Sequence, residues 1–196
     1  MASRVDRRMR GLEAALPEMA RAVLAETGGA IDLIAVTIGP GSFTGIRAGL
    51  ALAHGIGLAR GVAVMGVSVG EAMAFAFPHL GERSLWTVTP ARREHVFLER
   101  DGRAVSIALE SLPLPAAKVA IAGEAASRAA AVLAARGADV MLTDARFPPP
   151  GAIAEAAWTR WAKTGAPSHL ALPLYVDPPE AKPPSDGLRP PPTGVA

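Results

Sequence analysis

Between residues 31 and 77 the chain reads IDLIAVTIGPGSFTGIRAGLALAHGIGLARGVAVMGVSVGEAMAFAF. The short β-branched run at 31–38 predicts a buried strand, and the run at 62–67 predicts a second one. A glycine-rich loop at 39–45 separates the first strand from a helix predicted at 44–60. Alternation of strand and helix is typical of an α/β domain.

The flanking sequence continues this alternation. Apolar residues at helical spacing predict a helix at 7–27, in which Pro17 indicates either a kink or a later start. Ser68 is placed to cap a short helix that extends to Phe77. Asp101-Gly102 is a hairpin turn signal. The remaining predicted elements are strands at 85–89, 95–99, 104–108, 119–122 and 140–143, and helices at 124–136 and 151–164.

The order of these elements predicts an α/β fold with two subdomains. The first subdomain comprises residues 1–80 and is joined by the helix at 151–164. The second comprises residues 81–150. The proline-rich residues 173–196 predict an extended tail, which we expect to be disordered beyond Pro183.

Composition narrows the function classes. Half of the 196 residues are hydrophobic and 19% are charged, which is enough to build a core. The absence of cysteine excludes disulfides, thiolate nucleophiles and cysteine metal sites. A net charge of +2 without a long basic run does not indicate extensive nucleic-acid binding.

Nothing in the sequence predicts export or membrane insertion. Residues 1–19 are basic but lack the apolar stretch of a signal peptide. The most apolar window, 50–70, contains His54 and Arg60 and is rich in glycine, so we expect no spanning helix. The prediction is a soluble cytoplasmic protein.

The loop GPGSFTG carries the most local information. Thr44 is placed to cap the helix that follows, and such a loop can present backbone N–H groups to an anion. The alternative is a tight turn whose glycines let the helix pack close to the sheet. The loop is neither a Walker motif, nor GxGxxG, nor the nucleophile elbow GxSxG. No cofactor-binding residue is predicted, and the loop residues that the anion-binding alternative would use are Gly39, Gly41, Ser42, Thr44 and Gly45.

Three segments together resemble one family. Residues 31–74 contain GPGSFTG followed by a small-residue helix, residues 90–102 read PARREHVFLERDG, and residues 173–184 read PLYVDPPEAKPP. This combination resembles the bacterial TsaB (YeaZ) family. The resemblance implies the two-lobed actin/Hsp70-like fold of the glycoprotease M22-like branch.

The resemblance also implies a function. TsaB proteins are non-catalytic partners in threonylcarbamoylation of the adenosine beside the anticodon in ANN-decoding tRNAs. They pair with the transferase TsaD and with themselves through their first two helices, and the ATPase TsaE joins them. The resemblance implies that tRNA is contacted indirectly, that no cofactor or metal is bound and that GPGSFTG is a degenerate nucleotide loop. Two alternatives stay open: an M22-type peptidase and a nucleotide-binding regulator.

This chain departs from the family pattern. It begins close to the first helix, so the family's N-terminal hairpin with its D-T-[AS] motif has no counterpart and the first lobe is truncated. We expect a late start-codon assignment, ahead of a truncated or a naturally short chain. The strand at 31–38 should then lack a neighbour. Pro90 replaces a usual aspartate, and Asp177 stands where arginine is common.

The titratable residues do not suggest catalysis. No two of the four histidines are spaced i, i+4, so the HxxxH metal motif of the catalytic relative is absent. Ser42 has no histidine close to it in sequence. Asp32, Glu71 and Asp144 are single carboxylates for which we expect surface solvation. No catalytic residue is predicted.

The first two helices are the candidate interface. Each has apolar residues on more than one side, which is typical of a helix covered on two sides. The second helix carries another apolar stripe at Ala48, Leu52 and Ile56, and we expect His54 near the seam with a partner. The predicted interface residues are Leu12, Leu16, Met19, Val23, Ile46, Leu50, His54 and Gly57.

Overall fold

The computed structural model describes residues 2–6, 11–167 and 169–177. The helices are α1 (Leu12–Glu26), α2 (Phe43–Arg60), α3 (Val69–Ala76), α4 (Ala126–Ala135) and α5 (Pro150–Thr164). The strands are β1 (Leu33–Gly39), β2 (Ala63–Ser68), β3 (Ser84–Pro90), β4 (His95–Arg100), β5 (Arg103–Ala108), β6 (Val119–Ala122) and β7 (Val140–Leu142). Each element predicted from the sequence has a counterpart with slightly shifted ends.

The first helix begins later than predicted, although not as late as Pro17. The structure places its start at Leu12 and not at residue 7, and residues 7–10 lie outside the described part of the chain. Pro17 lies inside the helix, which continues through it to Glu26. The predicted disorder beyond Pro183 also lies outside the described residues.

The strands form two sheets. β1 and β2 pair in parallel, and within the described residues β2 is the only strand that pairs with β1. The second sheet has the order β5-β4-β3-β6-β7, in which β3, β6 and β7 are parallel and β4 and β5 are antiparallel to their neighbours. Two of the parallel pairs, β1–β2 and β6–β7, are joined by crossover helices, α2 and α4, whereas β3 is connected to β6 through the β4–β5 hairpin.

The hairpin between β4 and β5 follows from its turn sequence. Asp101 and Gly102 both have positive φ, at 51° and 71°. Two such residues are typical of a type I′ turn, whose twist matches that of the flanking strands. The Asp-Gly signal therefore gives the observed register, in which Arg100 pairs with Arg103.

α3 begins at a capping box. The Ser68 side chain accepts a hydrogen bond from the Glu71 backbone N–H, and the Glu71 side chain accepts one from the Ser68 backbone N–H. This confirms the predicted cap. The predicted surface solvation of Glu71 is wrong, because its carboxylate is half-buried and binds Arg160 of α5 at 3.0 Å.

Each sheet has its own apolar core. On the second sheet, Trp86, Val88 and Leu98 pack with Leu133 of α4. On the first sheet, a smaller cluster on one face joins Met65 and Val67 of β2 to Ala72 of α3 and to Ala156 and Ala157 of α5. α2 covers the other face of the first sheet, and α1 packs on α2. None of the described helices is long and apolar enough to cross a membrane.

We expect Gly123→Ala to be strongly destabilising. Gly123 follows β6 with φ 107°, and a Cβ there would overlap the carbonyl oxygen of Val88 in β3. We expect a loss of at least about 2 kcal/mol in the free energy of unfolding, measured in urea.

Gly137→Ala is the matched control. Gly137 also has positive φ, at 85°, but a Cβ there would meet no atom within 4 Å. Gly137→Ala should lower the free energy of unfolding by only about 1 kcal/mol, the cost of placing a non-glycine residue at positive φ. Equal losses for the two variants would contradict the proposed overlap with β3.

Candidate functional site

The glycine-rich loop is packed against the chain's own C-terminal segment. Gly39 is buried with φ 113°, and a Cβ there would lie 2.9 Å from Cδ1 of Ile46 and 3.4 Å from the carbonyl oxygen of Leu174. The backbone N–H of Leu174 donates to the Ile38 carbonyl at 2.8 Å. Gly39 therefore lets the loop pack closely against Ile46 and Leu174, which favours the tight-turn interpretation of the loop.

Ser42, and not Thr44, caps α2. The Ser42 hydroxyl accepts a hydrogen bond from the Gly45 backbone N–H at 3.3 Å. The prediction for Thr44 is wrong because the helix begins at Phe43, which leaves Thr44 exposed within the first turn. Gly41 sits between the buried Pro40 and this cap, near Ile46.

An arginine–aromatic cluster lies at the start of α2, and sequence reasoning missed it. The Arg47 guanidinium lies 3.6 Å from the ring centre of Phe43. It also donates to the Tyr175 hydroxyl, from Nε at 3.1 Å and from Nη2 at 2.8 Å. Tyr175 in the PLY segment was the only sequence signal for this cluster. The sequence could not pair it with Arg47, which is 128 residues away.

The predicted stripe on α2 faces the chain itself. Leu50 is only 5% exposed. A Cβ on Gly57 would lie 2.6 Å from Cγ2 of Val64 in β2. His54 is half-buried, with Nε2 2.9 Å from the Ala171 carbonyl oxygen, and Ile46 packs on Gly39. These residues hold the first sheet and the C-terminal segment together.

The outer side of α2 is open and lined by small or apolar residues. Ala51 and Gly55 are exposed, and Leu58, on the same face, is 88% exposed. A groove of about 550 Å³ runs between α1 and α2, and Leu52 and Ile56 line it from α2. The second apolar stripe therefore faces α1.

α1 is only partly covered. Its predicted interface residues Leu16, Met19 and Val23 are all half-buried. None of the α1 side chains that the structure describes is fully buried, and the side chain of Leu12 lies outside that set. The part of the chain that the structure describes thus shields the apolar side of α1 from water only incompletely.

The candidate catalytic groups do not converge in the described part of the chain. His79, His95 and His169 are exposed, and His54 is bound to a backbone carbonyl. Among the described residues, no group of three or more His, Asp or Glu side chains could hold a metal ion. Asp32 and Asp144 are exposed, as predicted.

Sequence reasoning also missed a buried polar cluster between the two sheets. Glu99 of β4 accepts hydrogen bonds from the Ser68 hydroxyl and from the Gly70 backbone N–H. Burial is the largest cause of the raised pKa of Glu99, and the nearby Glu71 carboxylate raises this pKa further. Glu99 differs from surface glutamates only in being buried in the folded chain, and the sequence carries no signal of that burial.

Comparison with known proteins finds one family model and several relatives that match most of the chain. The family model described as "TsaD: tRNA N6-adenosine threonylcarbamoyltransferase" matches residues 9–157. Uncharacterized proteins of Mycobacterium tuberculosis and Mycobacterium bovis are 34% identical over 160 residues, which cover 78% of this chain and 67% of theirs.

Two solved structures from Pseudomonas aeruginosa share the fold. An uncharacterized protein with similarity to peptidase YEAZ has a TM-score of 0.72 and 24% identity, covering 86% of this chain and 85% of its own. YeaZ has a TM-score of 0.70 and 25% identity, covering 86% of each chain.

Fold and matches together define an actin/Hsp70-like protein of the glycoprotease-like class, as the sequence predicts. The chain belongs to the tRNA-modification family that the TsaD model describes, and within it to the TsaB (YeaZ) family.

The cap of α2 can be tested with two neighbouring hydroxyl residues. Ser42→Ala removes the side-chain acceptor for the Gly45 N–H, so we expect a loss of about 1 kcal/mol in the free energy of unfolding. Thr44→Ala should change it by less than about 0.5 kcal/mol. Urea unfolding measures both, and a larger loss for Thr44→Ala would contradict the assignment.

Proposed function

We propose that this chain is a non-catalytic subunit needed for threonylcarbamoyladenosine modification of ANN-decoding tRNAs. It acts as a dimerisation scaffold and activator of the transferase TsaD, with the ATPase TsaE as a third component. The proposal places it in the cytoplasm and brings tRNA to it through the assembled complex. Membership in the TsaD-like family and the match to YeaZ support this role.

The observation that carries the proposal is the open surface of α1 and α2. Leu16, Met19 and Val23 are half-buried, and Leu58 is 88% exposed. Helices with apolar residues on several sides are normally covered on several sides. α2 already covers the first sheet with its inner face, so its outer face and α1 are available to a partner.

The residue types on this surface suit helix packing. Ala51 and Gly55 are exposed one turn apart on α2. Short side chains let a partner helix approach closely, and the groove between α1 and α2 can receive larger side chains from it. Two helices from each protein would then form a four-helix interface. TsaD and a second copy of this chain would compete for the same surface.

A non-catalytic role is supported by the candidate catalytic side chains, which either make structural hydrogen bonds or lie far apart. The Ser42 hydroxyl serves as a helix cap, and His54 is bound to the Ala171 carbonyl. The sequence also lacks the HxxxH metal motif of the catalytic relative. These observations favour a scaffold over a peptidase.

We expect Leu58→Glu to weaken pairing with TsaD without unfolding the chain. Leu58 is 88% exposed, so a charge there costs the isolated fold little. In a helix–helix interface the same carboxylate would be desolvated, so the dissociation constant should rise about tenfold or more. Size-exclusion chromatography with light scattering and a titration with TsaD from the same organism measure this effect.

Leu114→Glu is the matched control. Leu114 is also exposed, at 51%, but it lies in the segment that leads into β6 of the second sheet and is not part of α1 or α2. It should bind TsaD as the unchanged chain does. Unchanged pairing in Leu58→Glu, or equal loss in both variants, would contradict the proposed interface. Leu50→Glu is unsuitable because Leu50 is buried within the chain.

A further inference from the structure

A buried carboxylate, that of Glu99, connects the two sheets. Glu99 lies on β4 of the second sheet and is 5% exposed. Its carboxylate accepts from the Ser68 hydroxyl, at the end of β2 in the first sheet. It also accepts from the Gly70 backbone N–H of α3 at 2.7 Å. The contact thus joins the second sheet to the point where the first sheet passes into α3.

The backbone at Gly70 leaves room for this carboxylate. A Cβ on Gly70 would lie 2.5 Å from Cδ and 2.8 Å from Oε1 of Glu99. Any larger residue at position 70 would therefore displace the Glu99 side chain. The glycine and the glutamate form a matched pair across the boundary between the sheets.

The electrostatic surroundings of Glu99 are well defined. From α3 it faces Glu71, whose carboxylate is bound by Arg160 of α5 at 3.0 Å. Its neighbours in the second sheet, Thr87 on β3 and Ala104 on β5, carry no charge. Burial and the Glu71 charge raise the pKa of Glu99, and the hydrogen bonds from Ser68 and Gly70 only partly oppose them.

We propose that the contact of Glu99 with Ser68 and Gly70 is a proton-sensitive joint between the two sheets. In the closed state the Glu99 carboxylate contacts Ser68 and Gly70, and in the open state it is exposed to water. The closed state is most stable when Glu99 carries a proton, and opening is easier when Glu99 is ionised. The reason is hydration, because an ionised carboxylate gains more than a neutral one when opening exposes it to water. Neither TsaD nor any other partner is needed for this behaviour.

The sign follows from proton linkage. The closed state binds a proton more tightly than the open state, so opening becomes easier as the pH rises above the ordinary glutamate value of 4.5. The effect ends once the pH passes the raised pKa of the closed state. Within this window a single proton can change the opening constant by at most about tenfold per pH unit.

Hydrogen exchange at the start of α3 tests the joint. Protection of the Gly70 amide, corrected for the intrinsic exchange rate, should fall with rising pH in the unchanged chain. Glu99→Gln keeps an acceptor but cannot ionise, so its protection should be independent of pH. Glu110→Gln, at an exposed glutamate just after β5, should behave like the unchanged chain.

The same pH dependence in Glu99→Gln as in the unchanged chain would overturn the proposal. If Glu99→Gln does not fold, a measurement on the unchanged chain alone can test the proposal. NMR titration of the Glu99 side-chain carbon should give a midpoint above 4.5, and the Gly70 amide shift should follow the same midpoint. A Gly70 amide that does not move with the Glu99 titration would also overturn it.

Discussion

The close approach of α2 to the first sheet is the contact on which the N-terminal part of the chain depends. A Cβ on Gly57 would lie only 2.6 Å from Cγ2 of Val64, so the helix can settle on the sheet only with glycine at this point. This contact turns Leu50 and Gly57 inward, where they are buried. The opposite face, with Ala51 and Leu58, is consequently turned outward. One geometric constraint therefore assigns α2 both a core side and a free side.

The elements themselves were predictable because their signals are local. Strand runs and helical spacing gave each element, and Asp101-Gly102 gave the hairpin. The face of α2 was not predictable in the same way, since Leu50 and Leu52 are equally apolar and belong to different stripes. The choice between them depends on the shape of the sheet, which brings Val64 opposite Gly57.

The N-cap of α2 shows a finer limit of sequence reasoning. Ser42 and Thr44 are both good capping residues, and they are two positions apart. The structure selects Ser42 because the buried Gly39 and Pro40 set the path by which the chain enters the helix. Such a path depends on contacts with Leu174, at the other end of the described chain, and cannot be derived from the loop alone.

Polar pairs between distant segments were the least predictable features. Arg47 with Tyr175, Arg160 with Glu71, and Glu99 with Ser68 each join separate elements. Sequence gives the charge of each residue but not its partner or its burial. Yet burial decides the chemistry, because the same glutamate that would be a solvated surface group becomes a carboxylate with a raised pKa when β4 meets α3. The raised pKa of Glu99 is therefore a consequence of how the two sheets are joined.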